Sequence, residues 1–196
     1  GEHTIRSMQY IRADKVLRLT MLLHDVAKPV CRTEDENGIH HFHGHPQVGA
    51  EMSRKILRRL KFDNDTIHRV MALVRAHDDR PPLQGRSVRR AIYRNGTGQY
   101  PELFEVKRAD ILAQSSFLQQ EKLLYVDRYE HMYQQIMEKE QCLSLKELAV
   151  NGSDLIARGI QPGKEIGEIL HQMLEKVLEE PELNEKEVLL AWYFKA

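Results

Sequence analysis

Apolar side chains recur along most of the chain at helical spacing, and several of the stripes they form run into a histidine or a carboxylate. Leu17, Met21 and His24 fall at i, i+4, i+7, and Ile67, Val70, Val74 and His77 at i, i+3, i+7, i+10. Leu103, Val106, Asp110, Ala113 and Phe117 repeat the pattern with an aspartate in the middle. Periodicity and punctuation together predict helices near residues 4–11, 14–28 (stopped by Pro29), 46–60 and 63–77, the last with Asp63 as N-cap. Ser87 is expected to cap a short helix ending near Asn95, and Pro101 to open one long helix through Asp110 to about 140. Asn37-Gly38 is a hairpin turn signal, so residues 30–42 are read as a short β-hairpin or an extended loop. The expected fold class is all-α, a helical bundle over 1–140 with a small helical unit at 144–196 and room for one short β-hairpin.

The polar residues on those stripes are the candidate chemistry. A buried carboxylate must be paired, hydrogen-bonded or metal-bound, because an unpaired buried charge costs several kcal/mol. His24-Asp25 closes the apolar run 16–23, His77 closes a second stripe, and Asp110 interrupts a third. His45 sits in the loop Phe42-His43-Gly44-His45-Pro46, and His3 at the start of the first helix. These four histidines and two aspartates offer nitrogen and oxygen donors and no sulfur. Such a set suits one or two divalent cations (Mn, Ni, Mg, Fe or Zn) and argues against a cysteine-type structural zinc site. Each position also has a plainer reading: a satisfied core histidine for His77, a solvated loop for His40, His41, His43 and His45, and a solvated lysine at a helix end for Lys28. It is the ordered series His…His-Asp…His…His…Asp that favours a metal.

Composition narrows the setting. The 196 residues suffice for one good core, or one domain with an appendage. No apolar run reaches the roughly 20 residues of a membrane helix. Cys31 and Cys142 are too few to frame a disulfide scaffold, so a reducing, cytoplasmic location is expected. The formal net charge is zero, yet residues 54–94 hold twelve Lys/Arg against four Asp, a net of +8, while the tail is acidic. A basic face beside a phosphoester site suits a polyanion, with Arg89 and Arg90 as candidate RNA contacts; the alternative is a solvated face whose arginines pair with acids elsewhere. Pro162-Gly163-Lys164 opens a helix whose free N–H groups form a phosphate seat or merely a packed helix start, and Lys164 is the third candidate contact.

The series His3, His24-Asp25 and Asp110, with His45 and His77 between, resembles the HD superfamily of metal-dependent phosphohydrolases. The stretches Glu2-His3-Thr4, Leu22-Leu23-His24-Asp25-Val26-Ala27-Lys28-Pro29, Phe42-His43-Gly44-His45-Pro46 and Arg108-Ala109-Asp110 look like the HD domain of bacterial CCA-adding tRNA nucleotidyltransferases. Asn151-Gly152-Ser153-Asp154 and Gly159-Ile160-Gln161-Pro162-Gly163-Lys164 are similar to the tail of the same enzymes, which lies along the tRNA. Ala27 departs from the glycine usual between the His-Asp pair and the lysine. The resemblance implies an HD domain over 1–140 and a tRNA-binding-like unit over 144–196. It implies that His3, His24, Asp25 and Asp110 hold a first metal, and that Asp25 bridges to a second held by His45 and His77. It further implies hydrolysis of phosphomonoesters or 2′,3′-cyclic phosphodiesters of nucleotides or RNA 3′ ends. His24 and Asp25 stand at the reaction centre, Lys28 is set to neutralise phosphoryl oxygens, and His41 or His43 are candidate acids for the leaving group. The polymerase half of such enzymes is not found in this sequence, and Gly1 stands two residues before a ligand candidate, so the chain reads as a fragment whose parent carries that half N-terminally. On this reading it does not polymerise nucleotides alone. Two rivals stay open: a non-catalytic tRNA-binding or dimerisation module, which leaves a homodimer open, and a stand-alone nucleotide phosphohydrolase.

Overall fold

A computed structural model describes residues 1–195. In chain order the helices are α1 (Glu2–Gln9), α2 (Lys15–Leu23), α3 (His45–Arg59), α4 (Asn64–Ala76), α5 (Gly85–Asn95), α6 (Tyr100–Ala113), α7 (Gln119–Glu138), α8 (Gly152–Ala157), α9 (Lys164–Glu179) and α10 (Lys186–Lys195). Among the described residues the strands are β1 (Thr33–Glu34) and β2 (His40–His41), an antiparallel pair in register Thr33↔His41 and Glu34↔His40. The all-α class with one short hairpin is therefore what the chain adopts. The chain forms two compact units: residues 1–80 with 95–128, and residues 81–94 with 129 onward, the last crossing falling inside α7.

In the first unit α2 is the central element, in contact with α1, α4 and α6. Its sequence explains this: Val16, Leu17, Thr20 and Met21 are all buried, while Lys15, Arg18 and Leu22 turn outward. Asp14 starts the helix, its Oδ1 accepting from Val16 N (2.8 Å) and Leu17 N (3.0 Å), which satisfies two of the donors a helix start leaves open. Regular helix stops at Leu23, before the expected 28. Val26 N then bonds Leu23 O and Lys28 N bonds Asp25 O, three-residue turns that take Asp25 out of the helical spacing. Asp63 caps α4 as expected, accepting from Thr66 N at 2.8 Å. The hairpin turn is closed by Asp35, whose Oδ1 accepts from Asn37 N and Ile39 N, with Gly38 at φ +74°.

Two expected elements differ. The long helix from Pro101 is broken at 114–118 into α6 and α7. Ser115 and Ser116 favour turns over helix interiors, Leu118 adopts φ +52°, and Gln119 Nε2 donates to the Ile111 carbonyl at 3.1 Å, satisfying an open end of α6. Phe117 is accordingly 73% exposed and no longer belongs to the Leu103 stripe. Ser87 does not cap α5, which already begins at Gly85.

In the second unit Ile169, Met173, Leu174, Val177 and Leu178 of α9 form the core with Leu155 of α8 and Leu189 and Leu190 of α10. Asn151 and Asp154 form a capping box at the start of α8.

Candidate metal centre

Three of the candidate histidines stand at the end or the start of a helix in the first unit, and the same local device orients each. His24 Nδ1 donates to Met21 O (2.7 Å), His77 Nδ1 to Val74 O (2.7 Å) and His45 Nδ1 to Phe42 O (2.9 Å). A carbonyl can only accept, so each Nδ1 carries the proton and each Nε2 is left to face the interior. Gly44, in the left-handed region at φ +74°, turns the chain so that His45 begins α3.

The Nε2 atoms converge on Asp25. His45 and His77 each lie 3.7 Å from its Oδ1 and 3.4 Å from one another. His24 Nε2 lies 3.4 Å, and His3 Nε2 3.8 Å, from its Oδ2. Two donor sets, His3–His24–Asp25 and Asp25–His45–His77, each fall within 4.8 Å and share the aspartate. Asp110 Oδ1 completes the cluster, 2.9 Å from His3 Nε2 and 3.4 Å from His24 Nε2. All six residues expected as ligands are thus brought together, with His24 fully buried and His3 the most exposed.

The electrostatics are those of a cation site. Asp25 Oδ1 is buried and has no hydrogen-bond partner. The two imidazole nitrogens beside it have no proton to give while their rings are neutral, and burial holds His45 below its ordinary value, in the neutral form. Lone pairs and a carboxylate oxygen therefore face each other across a small gap, an arrangement that a divalent cation stabilises. Burial works against the Asp25 charge, but His24 and Lys28, beside Oδ2, hold its carboxyl well below the usual carboxylate range. For His24, burial is outweighed by Asp110 and Asp25, and the imidazole is pushed up to about 9. Without an ion, a proton on His24 supplies positive charge to the cluster. The residues fit a hard or borderline divalent ion, or a pair of them.

Supporting groups hold the candidate ligands. Gln114 Nε2 donates to Asp110 Oδ2 (2.9 Å) and in turn Gln114 Oε1 accepts from Lys122 Nζ (2.8 Å). Lys107, 5% exposed, donates to the carbonyls of Ala76 (3.3 Å), His77 (2.8 Å) and Asp79 (2.5 Å), closing the end of α4 that carries His77. Burial pushes its ammonium down to about 8. Sequence reading missed both positions. Signals existed: Gln114 stands four residues after Asp110 on the same helix face, and Lys107 is a charge set into an apolar helix.

The remaining expected residues are placed as follows. Lys28 Nζ pairs with Asp25 Oδ2 at 2.7 Å and lies 5.9 Å from the centre of the Phe42 ring. His41 Nε2 lies 2.9 Å from Asp35 Oδ2 and its ring stacks on His43 at 5.4 Å. Arg89 is buried in the second unit, donating through Nε to Leu178 O (2.7 Å) and through Nη2 to Glu179 O (2.9 Å) at the C-terminus of α9. Arg90 pairs with Glu175 at 2.9 Å, and Lys164 is exposed beside Glu168 at 3.2 Å. Two cavities open on the cluster. One of about 420 Å³ is polar and lies among Lys28, the histidine loop and Gln114; the other, of about 290 Å³, lies against α6 and α7.

Comparison with known proteins identifies the family. Residues 33–193 match the family model described as tRNA nucleotidyltransferase domain 2. The chain is 33% identical over 180 residues to the CC-adding tRNA nucleotidyltransferase of Thermus thermophilus, covering 89% of this chain and 40% of that protein. It is 32% identical over 167 residues to the A-adding tRNA nucleotidyltransferase of Deinococcus radiodurans, covering 83% and 38%. The chain thus spans about two fifths of the length of these relatives. A helical chain matched by that family model over most of its length belongs to the tRNA nucleotidyltransferase domain 2 family.

Proposed function

We propose that the histidine–aspartate cluster is the catalytic centre of an HD-type phosphohydrolase that cleaves phosphomonoesters or 2′,3′-cyclic phosphodiesters of nucleotides or RNA 3′ ends. The observation that carries this reading is the orphaned Asp25 Oδ1 facing two proton-free imidazole nitrogens, beside a second histidine pair sharing the same carboxylate. His3, His24 and Asp25, with Asp110 against them, would hold one ion, and Asp25, His45 and His77 a second. Bound there, a divalent cation supplies Lewis acidity and, from water at neutral pH, a nucleophile for phosphorus.

The chain's own residues do the rest. Nδ1 bonds fix the ligand rings, and Gln114 and Lys122 hold Asp110 with Oδ1 turned inward. Lys28 balances Asp25 and brings positive charge to the edge of the polar cavity, where phosphoryl oxygens would lie. His41 and His43 line the same cavity and can pass a proton to a leaving alkoxide. The named relatives act on tRNA, and we place this centre within a protein of that kind.

The test is hydrolysis of 2′,3′-cyclic nucleotides and nucleoside monophosphates by the purified chain, with and without Mn²⁺, Ni²⁺ or chelator. Metal-dependent release is expected, with His24→Ala losing on the order of a hundredfold or more of the rate. Equal rates for parent and His24→Ala would remove the centre from the reaction. Incorporation of CTP or ATP into tRNA is not expected of this chain.

A further inference from the structure

The cavity of about 290 Å³ against α6 and α7 has a different chemistry from the polar one. It reaches the ligand cluster through His77 and Asp110. Its apolar lining is made by Ile111, Leu118 and Val126, with Tyr125 adding an aromatic surface. Arg80, Lys107, Glu121 and Lys122 supply its polar groups beyond the cluster. Its volume sits at the low end of the about 300–1,000 Å³ common to small-molecule sites, enough for one ring system and too small for a folded RNA segment.

We infer that this cavity is the subsite for the base of a nucleotide whose phosphoryl group lies at the histidine–aspartate centre. The inference rests on the hydrolase reading for the position of the phosphoryl group. A base is the part of a phosphoester that matches both surfaces: its faces are apolar and pack on aliphatic or aromatic side chains, while its edge carries acceptors and donors for an arginine, a lysine or a phenol. A bare sugar would leave hydroxyls against Ile111 and Val126 without partners, which is unfavourable. Lys122 already donates to Gln114, which holds Asp110, so an occupant of the cavity rests against the chain of hydrogen bonds that positions a ligand.

The experiment is equilibrium binding by calorimetry, to the whole chain with Mn²⁺ present, of the common ribonucleoside 5′-monophosphates and of ribose 5-phosphate, each as its non-hydrolysable phosphonate analogue. At least one nucleotide is expected to bind on the order of tenfold tighter than ribose 5-phosphate, the yield of packing one base against such a wall. Leu118→Trp, whose larger side chain takes up cavity volume, should bring that ratio toward one. Leu118→Ala removes apolar lining at a half-exposed position and should lower the ratio several-fold. Equal binding of nucleotides and ribose 5-phosphate by the parent chain, or a ratio that neither variant changes, overturns the subsite. A short single-stranded RNA with the preferred base at its 3′ end forms the second arm: tighter binding than the mononucleotide assigns the base to an RNA end, weaker binding to a free nucleotide, and both uphold the subsite. Binding is read without turnover, so the two readings fail separately. A chain that prefers nucleotides but hydrolyses nothing keeps the subsite and loses the hydrolase. One that hydrolyses ribose 5-phosphate as readily as nucleotides keeps the hydrolase and loses the subsite.

Discussion

Asp25 Oδ1 meets two imidazole nitrogens that offer it no proton, and a buried carboxylate oxygen in that position is costly until a cation reaches it. The ion should therefore act on stability as well as on chemistry. At an ion concentration of about 100 times Kd, linkage supplies about 2.7 kcal/mol, a rise in Tm on the order of 5–10 °C. Asp25→Asn, of the same shape, should abolish that rise with Mn²⁺ while melting normally in chelator; an undiminished rise would place the ion elsewhere. Lys107 invites a second substitution. Lys107→Met keeps the apolar stem and removes three hydrogen bonds to the carbonyls at the end of α4. Since those bonds fix where His77 stands, Mn²⁺ affinity by calorimetry should fall on the order of tenfold, the range seen when groups behind a metal ligand are removed.

At the scale of the element, α2 shows how a helix start can govern a site at its other end. Asp14 accepts two backbone N–H bonds, first from Leu17 and then from Val16, and these hold its carboxyl below the usual range. A depressed carboxyl contributes stability above its unfolded value, near 3.8, and the contribution is lost as pH falls through the folded value. Asp14→Ala should cost about 1 kcal/mol in urea unfolding at pH 7. Asp14→Asn keeps the cap without the titration, so its stability should decline less than that of the parent below pH 4. Most such elements were legible in the sequence, because caps and apolar spacing are local: Asp63, the Asn37-Gly38 turn and the Leu17–Met21–His24 stripe could be read directly. The histidine–aspartate cluster was legible for the same reason, His24 and His77 being written at the ends of stripes and His45 beside a helix-opening proline. The break at 114–118 was not, since the apolar period runs on through Phe117 and only the Gln119 bond to Ile111 shows why the helix stops. Gln114 and Lys107 escaped because their roles depend on partners that assemble only in the folded unit.

For the whole molecule, a balanced net charge conceals separate uses of its arginines. Arg89 closes the end of α9 and Arg90 is paired, so neither is well placed to make the salt-sensitive contacts expected of them. At the end of α3, by contrast, Lys55, Arg58, Arg59 and Lys61 are all exposed. If RNA meets the first unit, this cluster is the stronger candidate. Arg58→Glu with Arg59→Glu should weaken tRNA binding and reduce the slope of log K against log salt by about 1 to 2, following counterion release. Hydrolysis of a small cyclic nucleotide should show no such salt-dependent loss. An unchanged slope would make this a solvated helix end.

Each of the three inward histidines bonds back to the carbonyl three residues before it. The proton on each ring is therefore placed by its own short stretch of chain, before distant parts of the fold have met. Drift in the packing between helices would then spread or crowd the donors without scrambling which nitrogen binds. Over long sequence divergence such a centre can be retuned by small shifts of whole segments, its affinity changing by degrees while its chemistry stays intact.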